Sequence, residues 1–121
     1  MAFSDPTTIT ISTVGKTLNK INQDNFGSEY LYRSSTEEVR LRIRHQNESA
    51  KVGVTPFERH NLEMIHTVFA VAPAVVNTER RYSFTARVKR GDDPASALAS
   101  AKGLIGFLTD ANVTKAIGWE S

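Results

Sequence analysis

Glu79-Arg-Arg-Tyr-Ser-Phe-Thr-Ala-Arg-Val-Lys-Arg90, followed by Gly91-Asp-Asp-Pro94, is where this chain changes its hydrophobic period. Before the break, Tyr82, Phe84, Ala86 and Val88 alternate with Arg81, Ser83, Thr85, Arg87 and Lys89. A period of two sends the two sets to opposite faces of a strand. At the break, an Asp suits a helix N-cap and a Pro suits the first helical turn. After it, Leu98, Ala101, Ile105 and Leu108 share one helical face, with Ala97 and Leu104 beside them. The stretch is a strand that runs straight into a helix.

Upstream of it the chain keeps the period of two. Thr8-Ile-Thr-Ile-Ser-Thr13 alternates, Val14-Gly15-Lys16 offers a turn, and Thr17 to Ile21 can run back, which predicts an N-terminal hairpin over 7–22. Asn22-Gln-Asp-Asn25 and Gly27 interrupt the pattern. Strand-like runs follow at Ser28 to Ser34, Glu38 to Gln46, Phe57 to Phe69 and Glu79 to Arg90. Downstream, helices are predicted over 93–118, with Asp110 capping a second short one and Gly118 ending it. Gly103 and Gly106 each cost the first helix about 1 kcal/mol relative to Ala, and close packing against another backbone would offset that. Strands first and helices last argue α+β, an antiparallel sheet of residues 28–90 rather than a parallel α/β sheet. All of it is expected to form one domain, 1–121.

The totals narrow the possible functions. At 121 residues there is room for one core, and 40% hydrophobic with 23% charged residues is ordinary globular usage. The longest apolar run, Val68 to Val76, is interrupted by Pro73 and falls far short of the ~20 residues a membrane helix needs. No basic stretch precedes an apolar one near Met1, so no secretory signal is expected. The absence of cysteine removes disulfides, thiolate metal sites and cysteine nucleophiles together. A chain this small also gains from completing its core against a partner subunit.

The net charge of +2 hides its placement. Residues 79–90 carry five basic residues and one acid, so they hold +4 and the remainder holds −2. Residues 38–46 repeat the arrangement, with Val39, Leu41 and Ile43 on one face and Arg40, Arg42 and Arg44 on the other. Arg59 and Asn61 would extend that polar face. Antiparallel sheets often bury one face and wet the other, and like charges across strands repel unless a polyanion or nearby acids offset them. Phosphate suits guanidinium groups, and a flat sheet suits unstacked single-stranded RNA better than a duplex. Tyr30 and Tyr32 are candidate base stackers, although an aromatic in a strand is more often core. The alternative is a solvated outer face with Arg chosen for solubility.

Enzymatic chemistry finds little support. His60 and His66 share a strand parity but stand about 20 Å apart, too far for one metal. His45 shares a face with Leu41 and Ile43. Asp92-Asp93 is a possible cation site, yet helix capping explains it more simply. No phosphate loop and no nucleophile–base set is evident. No cofactor is expected, and no motif supports a structural divalent cation such as calcium.

Particular stretches carry a family likeness: Lys20-Ile-Asn-Gln-Asp24, Ser28-Glu-Tyr30, Arg44-His45 with Glu48-Ser49, Glu58-Arg-His-Asn61 and Ile117-Gly-Trp-Glu-Ser121. With the hairpin, the basic sheet and two terminal helices, the chain resembles the coat proteins of single-stranded RNA bacteriophages (leviviruses), most of all the Caulobacter-infecting branch. The resemblance implies a fold in which two subunits pair edge to edge and each lays its helices across the other, an intertwined dimer. It implies that dimers close into a T=3 icosahedral capsid, a virion made in the host bacterial cytoplasm, with no membrane and no enzyme activity. The inward face would bind genomic RNA, and in the family it also binds a hairpin that represses replicase translation. By alternation the matching positions are Arg40, Arg42, Arg44, Arg59, Asn61, Arg81, Ser83, Thr85, Arg87 and Lys89. The coliphage pattern mixes Thr, Ser, Asn, Lys and a stacking Tyr there. The excess of Arg here favours general phosphate binding over hairpin recognition. Ala70, Val71, Ala72, Pro73, Ala74, Val75 and Val76 would form the loop that meets its copies around the symmetry axes. The competing class is a small dimeric RNA- or DNA-binding regulator that forms no shell.

Overall fold

The computed structural model describes residues 3–120; Met1, Ala2 and Ser121, at the ends of the expected domain, lie outside them. Six antiparallel strands form one meander in chain order: β1 (Thr7–Ile11), β2 (Val14–Asp24), β3 (Gly27–Arg33), β4 (Glu37–Asn47), β5 (Phe57–Val68) and β6 (Thr78–Lys89). Two helices close the chain, α1 (Pro94–Phe107) and α2 (Asp110–Ile117). The α+β architecture expected from the change of period is the one observed.

The first hairpin turns two to three residues earlier than its glycine suggests. Ile11 pairs with Val14, so Ser12 and Thr13 alone make the turn, at φ 50° and 66°. Two left-handed residues match the right-handed twist of the flanking strands, which outweighs the comfort of placing Gly there. Gly15 instead sits in β2 opposite Thr10. β2 serves two neighbours: Val14 to Leu18 pair with β1, and Asn19 to Asp24 pair with β3 across an irregularity at Ile21. That division lets the hairpin curl over one face of the sheet. Ile9 and Ile11 pack on a core of Leu18, Tyr30, Val39 and Ile43, all essentially inaccessible. Lys16 Nζ pairs with Glu37 and lies 5.4 Å from the Tyr32 ring, tying the hairpin to β3 and β4. Gly27 is required where it stands, because a Cβ there would lie 2.3 Å from the Ile43 carbonyl oxygen.

The strand-to-helix passage follows its sequence closely. Gly91 takes φ 85° to turn the chain, and Asp93 caps α1 by accepting from the Ala95 and Ser96 amides at 3.3 and 3.2 Å. At α2 the cap is Thr109 rather than Asp110; its hydroxyl accepts from the Asn112 amide, and Asp110 opens the first turn where its charge favours the helix dipole. Gly118 ends α2 with φ −80°, and Trp119, not the glycine, takes the left-handed conformation at φ 67°. Neither helix buries a single residue. Leu98, Leu104, Ile105 and Leu108 are all more than half exposed, and a Cβ on Gly103 or Gly106 would meet nothing within 4 Å. Within one chain, the close packing expected of those glycines has no partner.

Candidate nucleic-acid interface

The register decides which side chains share the face opposite the core. Arg40, Arg42 and Arg44 stand opposite Ile65, Glu63 and Asn61 on β5. Those in turn stand opposite Arg81, Ser83 and Thr85, while Arg59 faces Arg87 and Phe57 faces Lys89. All ten residues expected on the polar face therefore lie on one surface. Ile65, between Arg40 and Arg81 in the register, is the buried apolar residue of that surface.

The arginine row is not unneutralised, as its own strand suggested. β3 brings Glu29 between two of its members, and Arg40 Nη1 donates to Glu29 while Arg42 Nε lies 3.6 Å from it. Arg44 pairs with Asp24 at 3.2 Å, and Arg81 with Glu63 and Glu79 at 3.3 and 3.1 Å. Arg87 grips Glu48 with two nitrogens, Nε at 3.0 Å and Nη2 at 2.5 Å. Burial pushes the Glu29 carboxyl upward, but Arg40 and Arg42 outweigh it and hold the group below its ordinary value. The hydrogen bonds from Arg87 do the same for Glu48, with a smaller contribution from Arg59, and Arg87 is raised in return.

One end of the surface differs. Arg59 and Lys89 have no ion-pair partner among the described residues. Beside them Thr85 donates to Asn61 at 2.9 Å, and the Arg87 guanidinium lies 5.0 Å from the centre of the Phe57 ring. Phe57 is the only aromatic that the six strands put on this face. Its parity with Arg59 and Asn61 was the available signal. The candidate stackers lie elsewhere: Tyr30 is in the core, its hydroxyl donating to the Phe3 carbonyl at 3.3 Å, and Tyr32 packs beside that core.

The histidines sort differently from their spacing along one strand. His60 and His66 stay apart, but His45 and His60 are directly opposed on the core-side face with their Nδ1 atoms 2.9 Å apart. Such a cross-strand pair requires the register and cannot be read from strand parity. His66 pairs with Glu37 at 3.0 Å. Asp93 is used as a cap, and Asp92 accepts from the Asp93 amide, so both acids are engaged locally. Among the described residues no group of three or more potential ligands is placed to hold a metal. The stretch Ala70–Val76 lies between β5 and β6 and is held at its base by Asn77, whose side chain accepts from the Ala70 amide at 2.8 Å. Val71, Val75 and Val76 project into solvent, up to 91% exposed at Val75.

Comparison with known proteins adds independent findings. A family model described as phage phiCb5, coat protein, matches residues 4–89. Among solved structures, a virus-like particle of Beihai levi-like virus 21 superposes with a TM-score of 0.72 at 16% identity, covering 96% of this chain and 94% of that one. The bacteriophage EMS014 coat protein gives 0.69 at 20% identity over 88% of this chain and 74% of that one. A virus-like particle of bacteriophage AVE019 gives 0.65 at 10% identity, over 98% of both chains. No curated protein matches the sequence. The family match stops at the end of β6, and the structural matches extend the same fold through the helices.

Proposed function

The chain belongs to the phage phiCb5 coat protein family, and from that premise we propose that it assembles through edge-to-edge dimers into a T=3 capsid around single-stranded RNA. The observation that carries the proposal is incompleteness. β6 pairs only with β5 and leaves its other edge free, Tyr82 on it is 47% exposed, and most apolar side chains of both helices are exposed, Ile105, Phe107, Leu108 and Ile117 among them. A second copy paired along β6, with its helices laid on this chain's exposed apolar surface, satisfies all three at once. The exposed valines of 70–76 then have a use as contacts between dimers, since singly they only cost hydration.

The opposite face is the proposed RNA surface, with Arg40, Arg42, Arg44, Arg59, Asn61, Arg81, Ser83, Thr85, Arg87 and Lys89 as its contacts. Guanidinium groups dominate it, and such contacts fix phosphates without reading sequence, so general packaging is favoured over repression of the replicase message. As a structural coat protein it performs no catalysis in this role; the virion is its destination and the host cytoplasm its place of synthesis.

Electron microscopy and light scattering of the purified protein test the shell. Uniform hollow particles that protect RNA from nuclease are expected. Dimers alone, with or without added RNA, would sink the shell and leave a small dimeric nucleic-acid-binding regulator as the reading.

A further inference from the structure

We infer that Phe57, framed by Arg59, Arg87 and Lys89, seats a nucleobase of single-stranded RNA, a stacking site within a surface otherwise built for phosphates. This rests on the RNA reading of the wet face and makes one part of it specific. Phe57 lies outside the core cluster and on the opposite surface, so core packing does not explain an aromatic there. Its neighbours in the register are cations: Lys89 directly opposite, Arg59 two residues along, and Arg87 opposite Arg59. Single-stranded RNA binding combines an aromatic face with cations that track the backbone.

The two halves of the surface differ in what RNA must displace. A phosphate that reaches Arg40, Arg44 or Arg81 competes with Glu29, Asp24, Glu63 or Glu79. At Arg59 and Lys89 it has no direct ion pair to displace among the described residues, and the nearest acid acting on Arg59 is Glu48, which Arg87 already holds. Arg87 is likewise held by Glu48, and that pair places its guanidinium over the Phe57 ring, 5.0 Å from the ring centre. An Arg–Phe pair held in place in advance offers a base an aromatic and a guanidinium surface without first ordering a mobile side chain. Next along the strands, Asn61 and Thr85 add short polar groups for the ribose or base edge.

The test titrates purified coat protein with a short single-stranded oligoribonucleotide containing one fluorescent purine analogue. Stacking on Phe57 changes the analogue's emission. Phe57→Leu, which keeps apolar bulk and loses the π-face, weakens binding about 5- to 150-fold. It leaves the slope of log affinity against log salt unchanged, because no phosphate contact is lost. Phe57→Trp retains affinity and the emission change. Arg59→Ala with Lys89→Ala does the reverse, lowering the slope by about 1.4 while the emission change persists. Wild-type affinity and emission in Phe57→Leu overturn the stacking site while leaving the RNA face intact. A salt-insensitive protein with no RNA affinity overturns both. If Phe57→Leu fails to fold, an unchanged emission on binding to wild type or to Phe57→Trp overturns the site by itself.

Discussion

Gly27 illustrates how much one side chain decides here. It pairs with Arg44 at the start of β3, and a methyl group there would meet the Ile43 carbonyl oxygen at 2.3 Å and the Arg44 side chain at 3.1 Å. The Phe26 carbonyl at the same turn accepts from the His45 amide, so the backbone has little freedom to move away. Gly27→Ala is expected to destabilise by about 1–3 kcal/mol, the usual cost of overpacking. Thermal melts check it, and an unchanged midpoint would show that the turn relaxes. Glu37 makes a second case. Hydrogen bonds from Lys16 and His66 lower its pKa below the ordinary 4.5. A carboxyl depressed in the folded state contributes stability above its unfolded pKa and loses it as pH falls through the folded value. Glu29 and Glu48 have the same sign. Melting temperature should therefore drop as pH falls below about 4.5, and Glu37→Gln should flatten part of that fall. Parallel pH profiles for the two proteins would refute the assignment. Neither residue's role was legible from its own neighbourhood: Glu37 sits 21 residues from Lys16 and Gly27 sits 16 from Ile43, and only strand pairing brings them together.

At the scale of elements, alternation found five strands close to their true limits, because apolar and polar side chains alternate along them. The Asp93–Pro94 helix start was equally readable, since a cap acts within four residues. What alternation could not supply was the register. Arg87 and Glu48 lie 39 residues apart, and Arg40 and Glu29 lie 11 apart. A strand read alone shows a row of cations, while the sheet interleaves it with acids from its neighbours. The helices show the converse. Their helical state was legible, but α1 is apolar nearly all round rather than on one stripe, and within this chain only Ala97 and Ala101 are half-buried, beside β6, while its leucines and Ile105 stay exposed. Ile105 and Leu108 are each more than half exposed in the subunit, so Ile105→Asp with Leu108→Asp should cost its fold little. If these side chains pack on a second copy, that pair abolishes the dimer in size-exclusion chromatography. A variant that still elutes as the wild-type dimer would mean the helices are solvated.

At the scale of the whole molecule, two kinds of incompleteness match the two steps of the proposed assembly. The free edge of β6 and the bare helices belong to one extended surface, which a single symmetric partner can satisfy. The valines of 70–76 lie in the connection at the far end of β5, fixed at the base by Asn77 and open beyond it. In the proposed assembly a contact there involves further copies rather than the same partner. Val75→Asp with Val76→Asp should therefore spare the first step and block the second. These two side chains are exposed in the subunit, so the change costs little folding stability, within about 0.5 kcal/mol for surface substitutions. In a closed shell the same carboxylates would be crowded together where the loops meet, and burying unpaired charges is prohibitive. Light scattering should report stable dimers with no particles, and those dimers should keep wild-type affinity for a short single-stranded RNA. Particles in normal yield would remove the loop from the shell contacts, and loss of the dimer would show that the loop belongs to the first interface instead.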